Sequence, residues 1–261
     1  MKWSEKTSGY MLILFTLFLS AGVAEPADLI VSTAMSLKVP FSEIGNMFEA
    51  DHQGSRVYFN FGASGVLEKQ IEGGAPVDLF ASASSREVDT LEKKGLIIKE
   101  LRRDFAGNSI VLIIPVGSSV SLSGLKDLEK KEVKRIVVGS PSTVPAGQYA
   151  EEVMRSAGLW DTLQKKLIFA ENVQQAMDYV ARQETDAGFV FLSDALSGKN
   201  EVKIVWKAQG ESHRAIRYVI APIKGTAKEQ LVREFIETVL SAKGEKVLEK
   251  YGFRKISRTG N

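Results

Sequence analysis

Four times along the chain a β-type stretch leads into a helix that opens on small, uncharged residues, which could hold an anion. The first N–H groups of a helix have no partner within the helix, and the helix dipole makes that end positive. Several such ends that converge on one point would bind an anion without any Lys or Arg side chain. The four junctions are Thr33-Ala34-Met35-Ser36-Leu37, Phe61-Gly62-Ala63-Ser64-Gly65, Val144-Pro145-Ala146-Gly147 and Glu171-Asn172-Val173.

The residues at these junctions also have a purely structural explanation. Ser is a favoured first residue of a helix, and at Ser36 or Ser64 it would contribute about 1 kcal/mol without any ligand. Pro145 and Asn172 are likewise good helix-start residues. For either serine alone the structural explanation is preferred. The occurrence of both serines together with the turn at Pro145 favours an anion site instead.

The elements that must position these residues alternate between strand and helix along the whole chain. The apolar stretches Ile110–Ile114 and Ile136–Gly139 have the composition of buried parallel strands. Residues Ser84 to Glu87 form a capping box, which predicts a helix start there. The alternation predicts an α/β protein with mostly parallel sheets that are covered by helices on both faces.

The chain has no long Pro- or Gly-rich linker, so we expect two lobes joined by two strands that cross between them, near Phe105–Ser109 and His213–Tyr218. Lobe 1 is predicted to comprise residues 25–106 and 218–261, and lobe 2 residues 107–217. Ligands of open α/β sheets bind outside the carboxyl ends of the strands. Two lobes that face each other across such ends would form a binding cleft.

Composition and charge exclude several classes of partner. The 261-residue chain is 44% hydrophobic and 25% charged, as is typical of a globular protein. Its 34 basic and 32 acidic side chains nearly cancel. The absence of a basic surplus argues against nucleic acid or an anionic membrane surface as a partner. We expect a monomer whose ligand is not attracted by the overall charge.

The N-terminus has the pattern of a secretory signal peptide. Lys2 and Lys6 precede the apolar stretch Met11–Leu19, and small residues follow up to Ala24. This predicts a signal peptide over residues 1–24 that is cleaved after Ala24. The apolar stretch is shorter than the roughly 20 residues that span a membrane. Because the sequence contains no Cys, we expect no disulfide and no lipid-anchored cysteine, and a mature protein that is free in a bacterial periplasm.

Seven segments, in order along the whole mature chain, carry a resemblance to a known family: Ala34-Met35-Ser36-Leu37, Phe61-Gly62-Ala63-Ser64-Gly65, Gly73-Gly74-Ala75-Pro76-Val77-Asp78-Leu79-Phe80, Gly107-Asn108-Ser109, Val144-Pro145-Ala146-Gly147-Gln148-Tyr149-Ala150, Gly158-Leu159-Trp160-Asp161 and Tyr251-Gly252-Phe253. Together they resemble the periplasmic molybdate-binding proteins of ABC transporters. The resemblance implies the type II two-lobed fold of periplasmic binding proteins, with a mostly parallel sheet flanked by helices in each lobe. It also implies a receptor, not an enzyme, that delivers its ligand to a membrane permease.

The resemblance also implies a set of ligand contacts. The family's contacts fall on Ser36 and Ser64, through hydroxyl and backbone N–H groups, and on the backbone N–H groups of Ala146 and Val173. These four residues would hold molybdenum as molybdate, or tungstate, with no further cofactor. Related proteins commonly have a tyrosine hydroxyl donor at a fifth position, where this chain has Phe191, which cannot donate.

The chemistry of this set predicts which oxyanions bind. A ligand that still carries a proton needs an acceptor such as Asp or Glu, and none of the four contacts is acidic. If the side chain of Glu171 points away, we expect molybdate, tungstate or sulfate in preference to phosphate. The resemblance favours molybdate and tungstate and does not rank them. The alternatives are a receptor for another oxyanion such as sulfate, or an exported phosphate-ester hydrolase that uses the anion site at the helix ends. Asp78 and Asp194 could also be interpreted as paired carboxylates, but a hydrolase would further need a defined water site.

Overall fold

The computed structural model describes residues 28–256, so the predicted signal peptide lies outside the described residues. Ten strands form two five-stranded sheets within the described range. The strands are β1 (Leu29–Ala34), β2 (Val57–Gly62), β3 (Leu79–Ser82), β4 (Arg103–Gly107), β5 (Ile110–Pro115), β6 (Ile136–Gly139), β7 (Leu167–Ala170), β8 (Ala187–Phe191), β9 (Val202–Lys207) and β10 (Arg217–Pro222).

Helices flank both sheets, and most of them follow directly on a strand. Across residues 28–256, no helix has both the length and the apolar composition that crossing a membrane requires. The helices are α1 (Lys38–Asp51), α2 (Ser64–Glu72), α3 (Ser85–Lys93), α4 (Pro145–Ser156), α5 (Trp160–Leu163), α6 (Val173–Ala181), α7 (Leu192–Ser197), α8 (Glu229–Leu240) and α9 (Ala242–Lys250).

The two sheets share one pattern of strand order. The first has the order β2-β1-β3-β10-β4, and the second has the order β7-β6-β8-β5-β9. In the first sheet β1 pairs parallel with β2 and β3, whereas β10 pairs antiparallel with β3 and β4. In the second sheet β6 pairs parallel with β7 and β8, whereas β5 pairs antiparallel with β8 and β9. The predicted α/β class is confirmed, and both sheets are mixed.

The prediction of a parallel strand at Ile110–Ile114 is wrong. This segment belongs to β5, which runs antiparallel to both of its neighbours. The chain enters β5 directly from β4 of the first sheet, so β5 arrives from the opposite direction to the strands that follow a helix within the second sheet. Its fully apolar sequence reflects burial on both faces, which a central antiparallel strand requires as much as a parallel one does.

The chain crosses between the sheets twice. It passes from β4 to β5 through Asn108 and Ser109, and it returns from β9 to β10 through residues 208–216. The first crossing lies within the predicted segment Phe105–Ser109, whereas the second begins earlier than predicted and overlaps the predicted segment His213–Tyr218 at residues 213–216. The first sheet therefore takes its strands from residues 29–107 and 217–222, and the second takes them from residues 110–207. The lobe boundaries at residues 106/107 and 217/218 remain our proposal.

Aromatic packing in lobe 1 fixes the helix that follows β1. Phe41 of α1 is fully buried, and its ring contacts the rings of Phe59, Phe105 and Phe235 at centroid distances of 6.2, 5.7 and 6.2 Å. Burial of a side chain of this size stabilises the fold by about 1.5–3 kcal/mol. The packing holds α1 against the sheet, and with it the turn between β1 and α1 that contains Ser36.

Candidate functional site

All four predicted junctions line one cavity between the two sheets. Ser36 and Ser64 come from lobe 1, and Ala146, Val173 and Phe191 come from lobe 2. The structure thus brings all five predicted site residues together, while their role as ligand contacts stays a prediction. The cavity is lined by Ala34, Met35, Ser36, Gly62, Ala63, Ser64, Ala83, Val144, Pro145, Ala146, Val173 and Phe191.

Three helices begin at this cavity. Ser64 is the first residue of α2, Ala146 is the second residue of α4, and Val173 is the first residue of α6. In each helix, the first backbone N–H that donates to the carbonyl oxygen of the residue before the helix lies one to three positions after Ser64, Ala146 or Val173. The N–H groups of Ser64, Ala146 and Val173 therefore have no partner within their own helices and are available to an anion.

Ser36 reaches the same cavity from a different local structure. It lies in a one-turn 3-10 helix, Met35–Leu37, between β1 and α1. The residue is buried, and its hydroxyl oxygen lies 2.9 Å from the hydroxyl oxygen of Tyr218. No side chain caps this turn, so Ser36 is not held there by a capping role.

The hydroxyl of Ser64 is arranged as a donor toward the cavity. The side chain is fully buried, and its oxygen accepts a hydrogen bond of 3.1 Å from the N–H of Ala83. Neither this oxygen nor any other side chain caps α2, so the structural explanation of Ser64 as a helix cap is wrong. With its oxygen serving Ala83, the hydroxyl hydrogen is free to donate to a ligand.

No charged side chain lines this cavity among the described residues. Glu171, which the sequence argument required to point away, is exposed and is not part of the lining. The site is therefore a set of neutral donors in apolar surroundings. An anion that entered it would be held by hydrogen bonds and helix ends alone, and it would meet no carboxylate that could accept a proton from it.

Phe191 forms one wall of the cavity and stands immediately before α7. Its ring is buried between two tyrosine rings, with centroid distances of 6.2 Å to Tyr149 and 5.7 Å to Tyr218. The residue that the resemblance marked as a lost donor therefore packs as an aromatic wall. Of these two neighbours, Tyr218 is connected to the cavity through the bond of its hydroxyl to Ser36.

The backbones of the two lobes are in direct contact beside Ser64. The N–H of Gly65 in α2 donates to the carbonyl oxygen of Thr143, which precedes α4, at 2.9 Å. A Cβ on Gly65 would lie 2.8 Å from both the Cα and the carbonyl oxygen of Thr143. Contacts this short do not occur, so the closed arrangement of the lobes requires a glycine here.

A second bond between the lobes was missed by the sequence analysis. Ser84 caps α3 by accepting from the N–H of Arg86, but Glu87 does not return the bond that a capping box requires. Its carboxylate instead accepts from the hydroxyl of Ser82 at 3.2 Å and from the side-chain amide of Gln148 in α4 at 2.9 Å. The carboxylate is fully buried, so this charge-assisted bond helps to hold the lobes together.

The paired-carboxylate alternative fails on geometry. Asp78 directly precedes β3, where it bonds to Lys228 and Thr226, whereas Ala83 at the other end of β3 lines the cavity. Five residues of extended chain separate them by roughly 15 Å. Asp194 lies in α7 beside the cleft, so the two carboxylates do not form a pair.

Asp194 is an acidic residue close to the site, three positions after Phe191 in the sequence. It lines a neighbouring cavity of about 190 Å³ that also includes Met35 and Ser36. The residue is half-buried, but its Oδ2 atom is shielded from solvent and has no hydrogen-bond partner among the described residues. Burial raises the pKa of Asp194 to about 7, and an interaction with the backbone of Phe191 opposes this rise in part.

Comparison with known proteins identifies relatives along almost the whole chain. Residues 29–254 match the family model of the bacterial extracellular solute-binding proteins. The chain is 33% identical to the molybdate-binding protein ModA of Escherichia coli over 259 residues, which cover 97% of this chain and 98% of that protein. It is 33% identical to ModA of Haemophilus influenzae over 239 residues, which cover 88% and 91%.

A solved structure shows the same fold. The periplasmic molybdate-binding protein of Azotobacter vinelandii superimposes with a TM-score of 0.79 at 24% sequence identity, over 88% of this chain and 100% of that one. The likeness confirms the two-lobed periplasmic-binding-protein fold.

We predict that Gly65→Ala prevents full closure while leaving each lobe folded. The new Cβ would meet the backbone of Thr143, which cannot move aside as a flexible side chain does. Anion affinity, measured by titration calorimetry, should fall at least about tenfold, which corresponds to about 1.4 kcal/mol. The matched control is Gly73→Ala at the other end of α2, where the Cβ meets only contacts of 3.4 Å. Equal affinities for the two variants would contradict the prediction.

We also predict that Asp194 makes stability depend on pH. Because its pKa is raised in the folded state, the folded protein binds this proton more tightly than the unfolded chain does. The free energy of unfolding should therefore fall as pH rises from about 4, the ordinary value of a carboxyl, to about 7.

Urea unfolding at several pH values across this window measures the effect. Asp194→Asn should flatten this part of the profile, whereas Asp161→Asn, at a side chain that is 90% exposed, should not. A profile for Asp194→Asn that overlays the wild-type profile would show that the carboxyl is not buried as described.

Proposed function

The chain belongs to the family of bacterial extracellular solute-binding proteins, and on that premise we propose that it is the periplasmic receptor of a molybdate ABC transporter. It would capture the oxyanion between its two lobes and deliver it to the membrane permease. The relatives that support this ligand are the ModA proteins, which match over most of the chain. The observation that carries the proposal is the single cavity into which both lobes direct neutral donors.

The donor set suits a fully ionised tetrahedral oxyanion. An anion that leaves water for a closed cavity must regain hydrogen bonds to each oxygen, because an unmade bond there is costly. Two serine hydroxyls and the N–H groups at the starts of α2, α4 and α6 supply donors from four sides. Hydrogen bonds to an ionised acceptor are the stronger kind. Molybdate and tungstate carry no proton at neutral pH and are nearly equal in size, so we propose that both bind.

Sulfate is the competing ligand within the same function. It is also a proton-free dianion, and the loss of a hydroxyl donor at Phe191 leaves a smaller set of donors than the resemblance implies.

A phosphate-ester hydrolase has weaker support. The part of the chain that the structure describes contributes no acid or base to the cavity lining that could activate a serine or a water molecule, and the relatives named above are binding proteins.

Ligand binding would be coupled to closure of the lobes. The donors come from both lobes, so the full set exists only when the lobes are together. The two crossing segments are the points about which the lobes can move, as in a hinge motion. A permease that recognises the closed form would then distinguish the loaded receptor from the free one.

We further propose that the mature protein is a monomer in the periplasm, released there by cleavage of residues 1–24.

We predict that molybdate and tungstate stabilise the protein. A ligand present at one hundred times its dissociation constant adds about 2.7 kcal/mol to the free energy of unfolding. Thermal unfolding and titration calorimetry with molybdate, tungstate, sulfate and phosphate would measure stabilisation and affinity together. We expect the first two anions to bind tightest and phosphate weakest. If neither molybdate nor tungstate raised the melting temperature, the proposed function would be wrong.

A separate prediction concerns Phe191→Tyr. Its new hydroxyl would be placed in the wall of the cavity and would restore the donor that relatives commonly carry, so molybdate should bind more tightly than to the wild type. Phe169→Tyr, at a side chain that is 48% exposed, is the control and should leave affinity unchanged. Unchanged or weaker molybdate binding by Phe191→Tyr would show that the missing hydroxyl does not limit affinity.

A further inference from the structure

Ser36 is the end of a chain of buried hydrogen bonds that begins at the first crossing segment. Asn108 lies between β4 and β5, and Tyr218 lies in β10. The side-chain nitrogen of Asn108 is 3.3 Å from the hydroxyl oxygen of Tyr218, which is 2.9 Å from the hydroxyl oxygen of Ser36. All three side chains are buried. In this series of hydrogen bonds, the partners of each side chain determine which atom donates and which accepts.

The orientation of the Asn108 side chain is fixed by its own neighbour. The backbone N–H of Ser109 donates to Oδ1 of Asn108 at 2.9 Å, which identifies that atom as the carbonyl oxygen. The other atom is therefore the amide nitrogen, which has two hydrogens and can only donate. One goes to the hydroxyl of Ser193 at 2.9 Å and the other to the hydroxyl of Tyr218.

The hydroxyl of Tyr218 consequently accepts from Asn108 and must direct its own hydrogen elsewhere. Ser36 is its other hydrogen-bond partner in the described part of the chain, so Tyr218 donates to the oxygen of Ser36. Leaving this buried hydrogen without an acceptor would cost about 1–3 kcal/mol. Burial, with a further contribution from the charge of Asp194, raises the pKa of Tyr218 well above its ordinary value, so the hydroxyl keeps its hydrogen.

We infer that Asn108 and Tyr218 are positioning residues that fix Ser36 as a hydrogen-bond donor and thereby make the site reject oxyanions that carry a proton. The oxygen of Ser36 receives the hydrogen of Tyr218, so the hydrogen of Ser36 is directed to the ligand. Ser64 is arranged in the same way by the N–H of Ala83. This inference rests on the proposed function and names the residues that set its selectivity.

The fixed direction of the serine hydrogens distinguishes two dianions, molybdate and hydrogen phosphate. Molybdate presents acceptors only, and both serines can donate to it. Hydrogen phosphate also carries two negative charges, but one of its oxygens bears a hydrogen that needs an acceptor. Each serine oxygen already accepts one protein hydrogen bond and directs its own hydrogen to the ligand, so the hydrogen of hydrogen phosphate would face another hydrogen or would have to reach the one remaining lone pair from a less favourable direction. Ser36 without its partner Tyr218 could rotate and accept it.

The decisive variant is Tyr218→Phe, which keeps the ring and removes the hydroxyl. We expect molybdate affinity to fall about tenfold, as for loss of one ordered hydrogen bond to a charged ligand. Affinity for hydrogen phosphate should fall less or rise, so that the ratio of the two dissociation constants moves toward one. Titration calorimetry at mildly alkaline pH, where inorganic phosphate is mostly the singly protonated dianion, measures both. The control is Tyr251→Phe, which loses a hydroxyl bond to Glu43 within lobe 1.

Two further variants separate positioning from general loss of structure. In a Ser36→Ala background, Tyr218→Phe should have no additional effect on either affinity, because Tyr218 acts through Ser36. Asn108→Leu leaves the hydroxyl of Tyr218 in place but removes the amide that fixes its direction. We expect it to weaken discrimination against hydrogen phosphate as Tyr218→Phe does.

The outcomes distinguish this inference from the proposed function. If the wild type bound neither molybdate nor tungstate, the proposed function itself would be wrong. If the wild type bound molybdate, but Tyr218→Phe left the ratio of dissociation constants unchanged, the positioning role alone would be overturned. Additive effects of Tyr218→Phe and Ser36→Ala would overturn it as well.

Discussion

The structure depends on one constraint: an anion must be held in a buried cavity whose lining, within residues 28–256, includes no charged side chain. Backbone N–H groups and hydroxyls are weak donors singly, and they must converge from several directions to replace the water that the anion loses. The two mixed sheets meet this requirement because the strand ends that lead into helices face each other across the cavity. Closure then requires backbones in direct contact, which is why Gly65 meets Thr143 without room for a Cβ.

Selectivity in such a site is set by the direction of hydrogens. Each serine that lines the cavity has its oxygen occupied by a protein donor, Ala83 N–H for Ser64 and the Tyr218 hydroxyl for Ser36. The Tyr218 hydroxyl in turn accepts a hydrogen bond from Asn108, which lies in the first crossing segment. Tyr218 itself lies in β10, the strand that follows the second crossing segment. The same residues that orient a ligand donor therefore lie where the lobes are joined.

The sequence was informative where structure is local. Helix starts and apolar strands are determined by neighbouring residues, so the four junctions and the alternation of strand and helix could be predicted. The direction of β5 could not, because it depends on the sheet from which the chain arrives. Glu87 could not either, since its partner Gln148 is 61 residues away. The bond between Ser36 and Tyr218 spans 182 residues, and neither residue signals it.

Neutral donors from both lobes would hold the oxyanion in this one cavity. A crystal structure of the protein grown with molybdate, with the metal located by its anomalous scattering, tests it most directly. We expect one molybdenum peak in the cavity, with the oxygens of the molybdate within hydrogen-bond distance of Ser36, Ser64, Ala146 and Val173 and with no carboxylate or ammonium group in contact. A peak outside the cavity, or an ion held by an acidic or basic side chain, would contradict it.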